Sequence, residues 1–233
     1  MCGADEISLR GGRVTHGVVR IGDTVRRPPT ANSALVRQLL QHLAAKGFEG
    51  APASLGVDEQ GRDVFAYVEG EVPAELGFHD DWVLCNAASL IRAFHDLSAD
   101  LVAAPAAAVA GIEVICHNDL SPCNFVFRDG GPIAMIDFDA AAPGSRAHDL
   151  GYAAWLWLDL GSPEIAATEQ RRRLALFLKA YGIDDVPLVL AAVLKRQAIL
   201  VKQGRRLGDD AMAEWAADCL KWTRRNEMLL LGS

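Results

Sequence analysis

Several things that would place this chain in a special class are scarce or missing. Its five cysteines, Cys2, Cys85, Cys116, Cys123 and Cys219, are odd in number, dispersed and without a Cys-x-x-Cys pair. That excludes the disulfide framework of a small secreted domain and points to a reducing cytoplasm. Positive charge is in deficit: 23 Lys and Arg against 30 Asp and Glu leave a net charge of -7 and a pI near 5.3. Neither nucleic acid nor an anionic membrane is therefore an expected partner. Long apolar runs are absent too. The longest, 101–115, is broken by Pro105, Gly111 and Glu113 and falls short of the roughly 20 residues of a spanning helix. The first six residues have neither the basic nor the apolar part of an export signal, so no signal peptide is expected. No internal repeat is present, and beyond the Ala-rich 103–110 there is no low-complexity run.

What remains is 233 residues of ordinary globular composition, enough for one domain or two small lobes sharing a core. Up to Glu69 the apolar residues come in short runs between turn residues. Residues 17–21 and 24–27 read as strands joined at Gly22-Asp23, where the turn needs positive φ. Pro28 and Pro29 end the second strand. Ser33 is placed to cap a helix whose Leu35, Val36, Leu39, Leu40 and Leu43 follow helical spacing to Gly47. Two further strands are expected at 53–57 and 63–68, around the turn Asp58-Glu59-Gln60-Gly61. Beyond a boundary near Gly70 the pattern turns helical, with helices expected at 86–104, at 164–181 behind Ser162 as cap and Pro163 at the first position, at 187–206 and at 211–230. One hairpin interrupts them: strands 124–128 and 133–137 around Asp129-Gly130-Gly131.

Chemistry concentrates at that hairpin. Before it runs Cys116-His117-Asn118-Asp119-Leu120-Ser121-Pro122-Cys123-Asn124, and after it Ile136-Asp137-Phe138-Asp139. The hairpin must bring Asp119, Asn124 and Asp137 together, and three hard oxygen donors suit Mg²⁺, which keeps waters and shares substrate phosphates. In phosphoryl transfer an Asp takes the proton of the attacking hydroxyl, an Asn five residues later holds one metal, and an Asp beyond a hairpin holds another. The spacing matches that template.

These residues resemble the aminoglycoside phosphotransferase family, also called the phosphotransferase enzyme family, which shares the bilobal fold of protein kinases and choline kinases. The resemblance implies an α+β, kinase-like chain: a small antiparallel sheet plus one helix over 1–69, a linker at 68–72, and a mainly helical acceptor-binding lobe over 70–233 that carries the catalytic hairpin. Asp119 would be the base, Asn124 and Asp137 the Mg²⁺ ligands and His117 a loop-positioning residue. Asp149, in the segment 144–152, would brace the catalytic loop. ATP would lie between the lobes, its adenine against the backbone of Tyr67, Val68 and Glu69. The expected reaction is O-phosphorylation of a small molecule.

The smaller lobe departs from the family pattern. Gly11 and Gly12 stand where the phosphate-covering loop belongs, without a GxGxxG; their amides could still approach phosphate. Arg26 or Arg27 replaces the phosphate-gripping Lys, with alternation putting one of them inward and Thr24 or Val25 against the adenine. The helix over 33–46 has no acidic residue for the usual Lys–Glu pair, so Gln38, Gln41 or His42 is the expected substitute. Residues 1–69 are charge-balanced and all of the net negative charge falls on 70–233, which favours a cationic acceptor such as an amino sugar. A catalytically weak nucleotide-binding relative is the alternative reading. A metal-dependent hydrolase using His117, Asp119, His148 and Asp149 is another, whereas Cys116, His117 and Cys123 lack a fourth zinc ligand. Trp155, Trp157, Trp215 and Trp222 read as core, the first two also able to flank the acceptor, and Arg171-Arg172-Arg173 as a solvated helix face.

Overall fold

The structure, a computed structural model, describes residues 6–9, 17–102 and 110–232. Gly11 and Gly12 lie outside the described residues. A five-stranded antiparallel sheet has the order β1 (Ile7–Ser8), β2 (Val19–Ile21), β3 (Thr24–Arg27), β5 (Asp63–Ala66), β4 (Ser54–Val57). Gly22 takes φ +57 in the β2–β3 turn. Helix α1 (Ser33–Ala45) buries Val36, Leu39, Leu40 and Leu43, the expected stripe. Ser33 does not cap it. Ser33 is its first residue, and its hydroxyl accepts from the Thr30 N–H and donates to the buried Asp63 carboxylate.

The chain then passes Gly70 at φ +151, where a Cβ would sit 2.4 Å from the Phe127 carbonyl oxygen. Only glycine permits that approach, and it lets Glu71 and Phe127 exchange backbone hydrogen bonds of 2.9 and 2.7 Å. Helix α2 (Asp81–Ser98) begins five residues ahead of the expected start, because its apolar stripe runs back through Ala88, Ala87, Leu84 and Val83, all buried. A 3₁₀ turn (Ala99–Val102) follows. Strand β6 (Val114–Cys116) pairs with β9 (Ala142–Gly144), and between them lies the hairpin of β7 (Phe125–Arg128) and β8 (Gly131–Met135).

The remaining helices are α3 (Arg146–Trp157), α4 (Ala167–Tyr181), α5 (Val186–Leu207), α6 (Asp210–Arg225) and α7 (Glu227–Leu231). Three expectations are corrected here. Ser162 and Pro163 do not start α4, because the buried Gln170 amide binds Gly161 N, Ser162 O and Ile165 O and holds that stretch out of the helix. The helix expected over 211–230 is two, broken at Asn226, whose side chain donates to Trp222 O at 2.9 Å. Arg173 is not solvated. It is 1% exposed, donates to His79 O at 2.9 Å and lies 4.0 Å above the Phe78 ring, so only Arg171 and Arg172 face water. Trp155 and Trp157 belong to the core, with Trp155 stacked 4.9 Å from the half-exposed Trp215. Among the described residues, no helix is long and apolar enough to cross a membrane.

Candidate active site

Strand β6 is buried along its length and delivers His117, Asn118 and Asp119 at its end. The turn that follows is held by Asp149, fully buried on α3. One of its oxygens accepts the His117 N–H at 2.7 Å, the other the Asn118 N–H at 2.8 Å, and His95 on α2 meets it at 3.0 Å, itself bonded to the Tyr181 hydroxyl at 2.8 Å. Burial alone would raise the Asp149 pKa; the hydrogen bond and charge of His95, with the His117 contacts, hold it below the usual carboxylate range. His117 is buried. Its Nε2 donates to Ile136 O at 3.0 Å and its Nδ1 accepts the Asp119 N–H at 3.3 Å, so the ring ties the loop to the segment after the hairpin.

Asn124 and Asp137 are brought alongside. The Asn124 amide nitrogen donates to Asp119 Oδ2 at 2.8 Å and to Asp119 O at 2.9 Å, and the Ile136 N–H reaches Asn124 O at 2.9 Å. With its nitrogen so engaged, Asn124 has its side-chain oxygen to offer a cation. Asp137 stands at φ +64, a left-handed position that sets its carboxylate apart from the strand.

Of the two arginines, Arg27 reaches this cluster. It donates to Asp137 Oδ1 at 3.0 Å and to Asp139, while Arg26 on the alternate face pairs with Asp58 at 3.5 Å. One positive charge thus already bridges the two carboxylates, and that donor set suits a hard cation. Among the described residues, no three His, Cys, Asp or Glu side chains form a cage, which Mg²⁺ does not require when phosphates complete its shell. Between α1 and the sheet the polarity is the reverse of the usual Lys–Glu pair: Arg37 on α1 pairs with the buried Asp63 on β5, while His42 bonds Leu97 O at 3.0 Å. At the linker, Tyr67 N donates to Asp23 O at 2.8 Å, Arg20 stacks 3.6 Å over the Tyr67 ring, and Arg128 donates to the Glu69 carbonyl at 2.8 Å. Two of the three residues expected at adenine therefore have a backbone group engaged within the chain, and Val68 lies half-buried between them.

Beside Asp119 the structure adds residues the sequence does not single out. Tyr152 carries its hydroxyl to the Asp119 carboxylate, and burial followed by that negative charge pushes its pKa up. Arg196 from α5 lies 4.1 Å over the Tyr152 ring, donates to Asn118 O at 2.7 Å and meets His148 Nε2 at 2.9 Å. Burial first, then Arg196, pushes the His148 pKa down, so its nitrogen remains an acceptor. Among the described residues no three His, Cys, Asp or Glu are grouped so as to hold a metal ion, so the set His117, Asp119, His148 and Asp149 that a metal-dependent hydrolase would use is not assembled.

The sequence profile described as "Phosphotransferase enzyme family" matches residues 98–183. A trifolitoxin immunity protein from Rhizobium leguminosarum bv. trifolii is 32% identical over 199 residues, covering 77% of this chain and 75% of that protein. Among solved structures, a choline kinase from Cryptosporidium parvum superposes with a TM-score of 0.65 at 13% identity, over 98% of this chain and 90% of its own. The GDP complex of aminoglycoside 2'-phosphotransferase-IIIa gives 0.60 at 15%, over 97% and 94%. A macrolide 2'-phosphotransferase from Brachybacterium faecium gives 0.55 at 17%, over 94% and 93%. These structural likenesses carry the kinase-like fold, as expected from the sequence.

Proposed function

Because the chain belongs to the phosphotransferase enzyme family, we propose that it is an ATP-dependent O-phosphotransferase acting on a hydroxyl of a small molecule, such as an amino sugar, an antibiotic or a related metabolite. At the level of class it is a small-molecule phosphotransferase. The observation that carries the finer reading is the convergence of three stretches onto one cluster: Asp119 and Asn124 from the loop after β6, Asp137 from beyond the hairpin and Arg27 from β3. Nucleotide would sit between residues 1–69 and 70–233, by the linker at Tyr67, Val68 and Glu69. The Asn124 oxygen and Asp137 would hold Mg²⁺, which when bound neutralises charge on the transferring phosphoryl group.

Asp119 accepts the proton of the acceptor hydroxyl as that oxygen bonds to the γ-phosphorus and the bond to the β–γ bridging oxygen breaks. Asn124 Nδ2 keeps the Asp119 carboxylate oriented for this. Arg27 supplies the fixed positive charge on the phosphate side, where a planar fork can take two oxygens. Removing it by Arg27→Ala is expected to raise the KM for nucleotide about tenfold to a hundredfold, the worth of one or two charge-assisted hydrogen bonds, measured in steady-state kinetics.

The acceptor is sought by nucleotide-consumption screening with both ATP and GTP, since relatives are solved with GDP and with ADP. The panel runs from amino sugars and amino alcohols to macrolides and nucleosides. Cationic and neutral members both belong in it, the net charge on 70–233 favouring the cations. An antibiotic acceptor fits the name of the relative, an immunity protein. Asp137→Ala is expected to weaken Mg-nucleotide binding at least about tenfold. Folded protein that bound no Mg-nucleotide, with Asp137→Ala changing nothing, would sink the reading in favour of a different ligand.

A further inference from the structure

Asn118, the residue just before Asp119, is held at three points by three different parts of the chain. Its N–H goes to Asp149 at 2.8 Å, its side chain donates to Ala140 O at 2.9 Å, and its carbonyl accepts from Arg196 Nη2 at 2.7 Å. That restraint has a purpose. Asn118 stands at φ +67, a left-handed conformation that Asn tolerates better than most L-residues yet that remains disfavoured, and the three bonds hold it there. The Asn118 carbonyl belongs to the peptide that also contains the Asp119 nitrogen, so holding this oxygen fixes the rotation of that peptide and the direction in which the Asp119 side chain leaves the backbone.

Arg196 is 78 residues distant in sequence and arrives because α5 lies unusually close to α3. Where they cross, a Cβ on Gly151 would lie 2.6 Å from the Ala192 Cβ; one helical turn beyond Ala192, Arg196 comes level with the loop. Its guanidinium is held there at three places: its face on Tyr152, Nη1 on His148, and the Nη2 already described on the Asn118 carbonyl. A lysine has no plane to stack and no second nitrogen to divide between two acceptors.

We propose that Arg196 is a positioning residue for phosphoryl transfer: acting through the Asn118 carbonyl, it locks the Asn118–Asp119 peptide so that the carboxylate faces the acceptor hydroxyl. The kinetic consequence rests on the phosphotransfer reading above; the locking of the loop does not.

Hydrogen–deuterium exchange of the peptide covering 117–121 tests the lock directly in Arg196→Ala and Arg196→Lys, with thermal melting as the check on folding. Exchange of the loop amides is expected to speed at least about tenfold in Arg196→Ala, with the helices unchanged and added guanidinium ion restoring protection. Once an acceptor is in hand, kcat is expected to fall about 10–100-fold in Arg196→Ala while the KM for nucleotide stays within about twofold, as for a displaced catalytic group, and guanidinium is expected to recover part of the rate. Should Arg196→Ala fail to fold, Arg196→Lys carries the same test. Unaltered loop exchange in a folded variant overturns the proposal, as does an unchanged kcat or a kcat loss matched by an equal rise in nucleotide KM. A wild type with no turnover on any acceptor would count against the functional reading alone, leaving exchange to decide on Arg196.

Discussion

Asp119→Asn is expected to lower kcat by about 10²–10⁴-fold, the range for loss of a positioned general base, while leaving Mg-nucleotide affinity within a few-fold. The substitution keeps the shape of the side chain and an oxygen for the Asn124 amide, which now donates to Asp119 Oδ2 at 2.8 Å. The loop and its neighbours therefore stay in place and only the proton acceptor is lost. Nucleotide titration alongside single-turnover transfer separates the two quantities. A second reading comes from Tyr152, whose pKa is raised by burial and then by the Asp119 charge. With that charge removed, the Tyr152 phenol is expected to ionise at lower pH in a spectrophotometric titration. Transfer at the wild-type rate would remove Asp119 from the role of base.

Asp149→Asn is expected to cost about 3–5 kcal/mol, the usual penalty for breaking a buried charged network, which for a chain of this size lowers the melting temperature by roughly 6–20 °C. Three groups converge on the carboxylate, the His117 and Asn118 N–H groups and His95. An amide offers one oxygen and two further donors, so at least one buried donor is left without an acceptor. The pH dependence has a definite sign. Despite the upward push of burial, the Asp149 carboxyl lies below its ordinary range in the folded state. Its contribution is then complete above the unfolded value, near about pH 4, and disappears as the pH falls through the folded value, where the unfolded chain binds the extra proton. Urea unfolding from pH 7 downward is expected to show a wild type that weakens below about pH 4 and a variant that is weaker throughout and flatter in that window. Curves of equal slope would mean that His95 and the loop amides do not depend on this charge.

These two residues also mark how far the sequence can be read. The stripe of α1, the β2–β3 hairpin and the run from His117 through the β7–β8 hairpin to Asp137 are legible because each is set by neighbours a few residues away. Periodicity and turn chemistry suffice there. Helix α3 is less so: Ser145 caps it by accepting the His148 N–H, and Leu150, Ala153, Ala154 and Trp157 keep helical spacing, but nearly every residue from Asp149 to Trp157 is buried, which blurs the contrast between its faces. Arg173 reads as a surface charge because nothing local reveals that the His79 carbonyl and the Phe78 ring await it. Gln170 silences the apparent start signal at Ser162-Pro163 for the same reason. At the site, the inward choice between Arg26 and Arg27, the Arg37–Asp63 reversal and Arg196 all depend on partners tens of residues away. Local patterns name the groups that could do chemistry; the residues that hold them still emerge only from tertiary contacts.

Asn32, at the entry to α1, donates through its side chain to the backbone oxygens of Asp139 and Ala141 at 2.9 and 2.8 Å. Gly70 against Phe127, with the paired hydrogen bonds of Glu71, is a second attachment. Arg27 adds a third through Asp137 and Asp139, and the Met135 N–H on the Gly50 carbonyl at 2.8 Å a fourth. Helix α1 is tied both ways, by Arg37 to β5 and by His42 and Lys46 to Leu97 and Asp100. Any displacement of the sheet relative to the helical part must therefore break several of these bonds together, and α1 is the element that would have to choose a side.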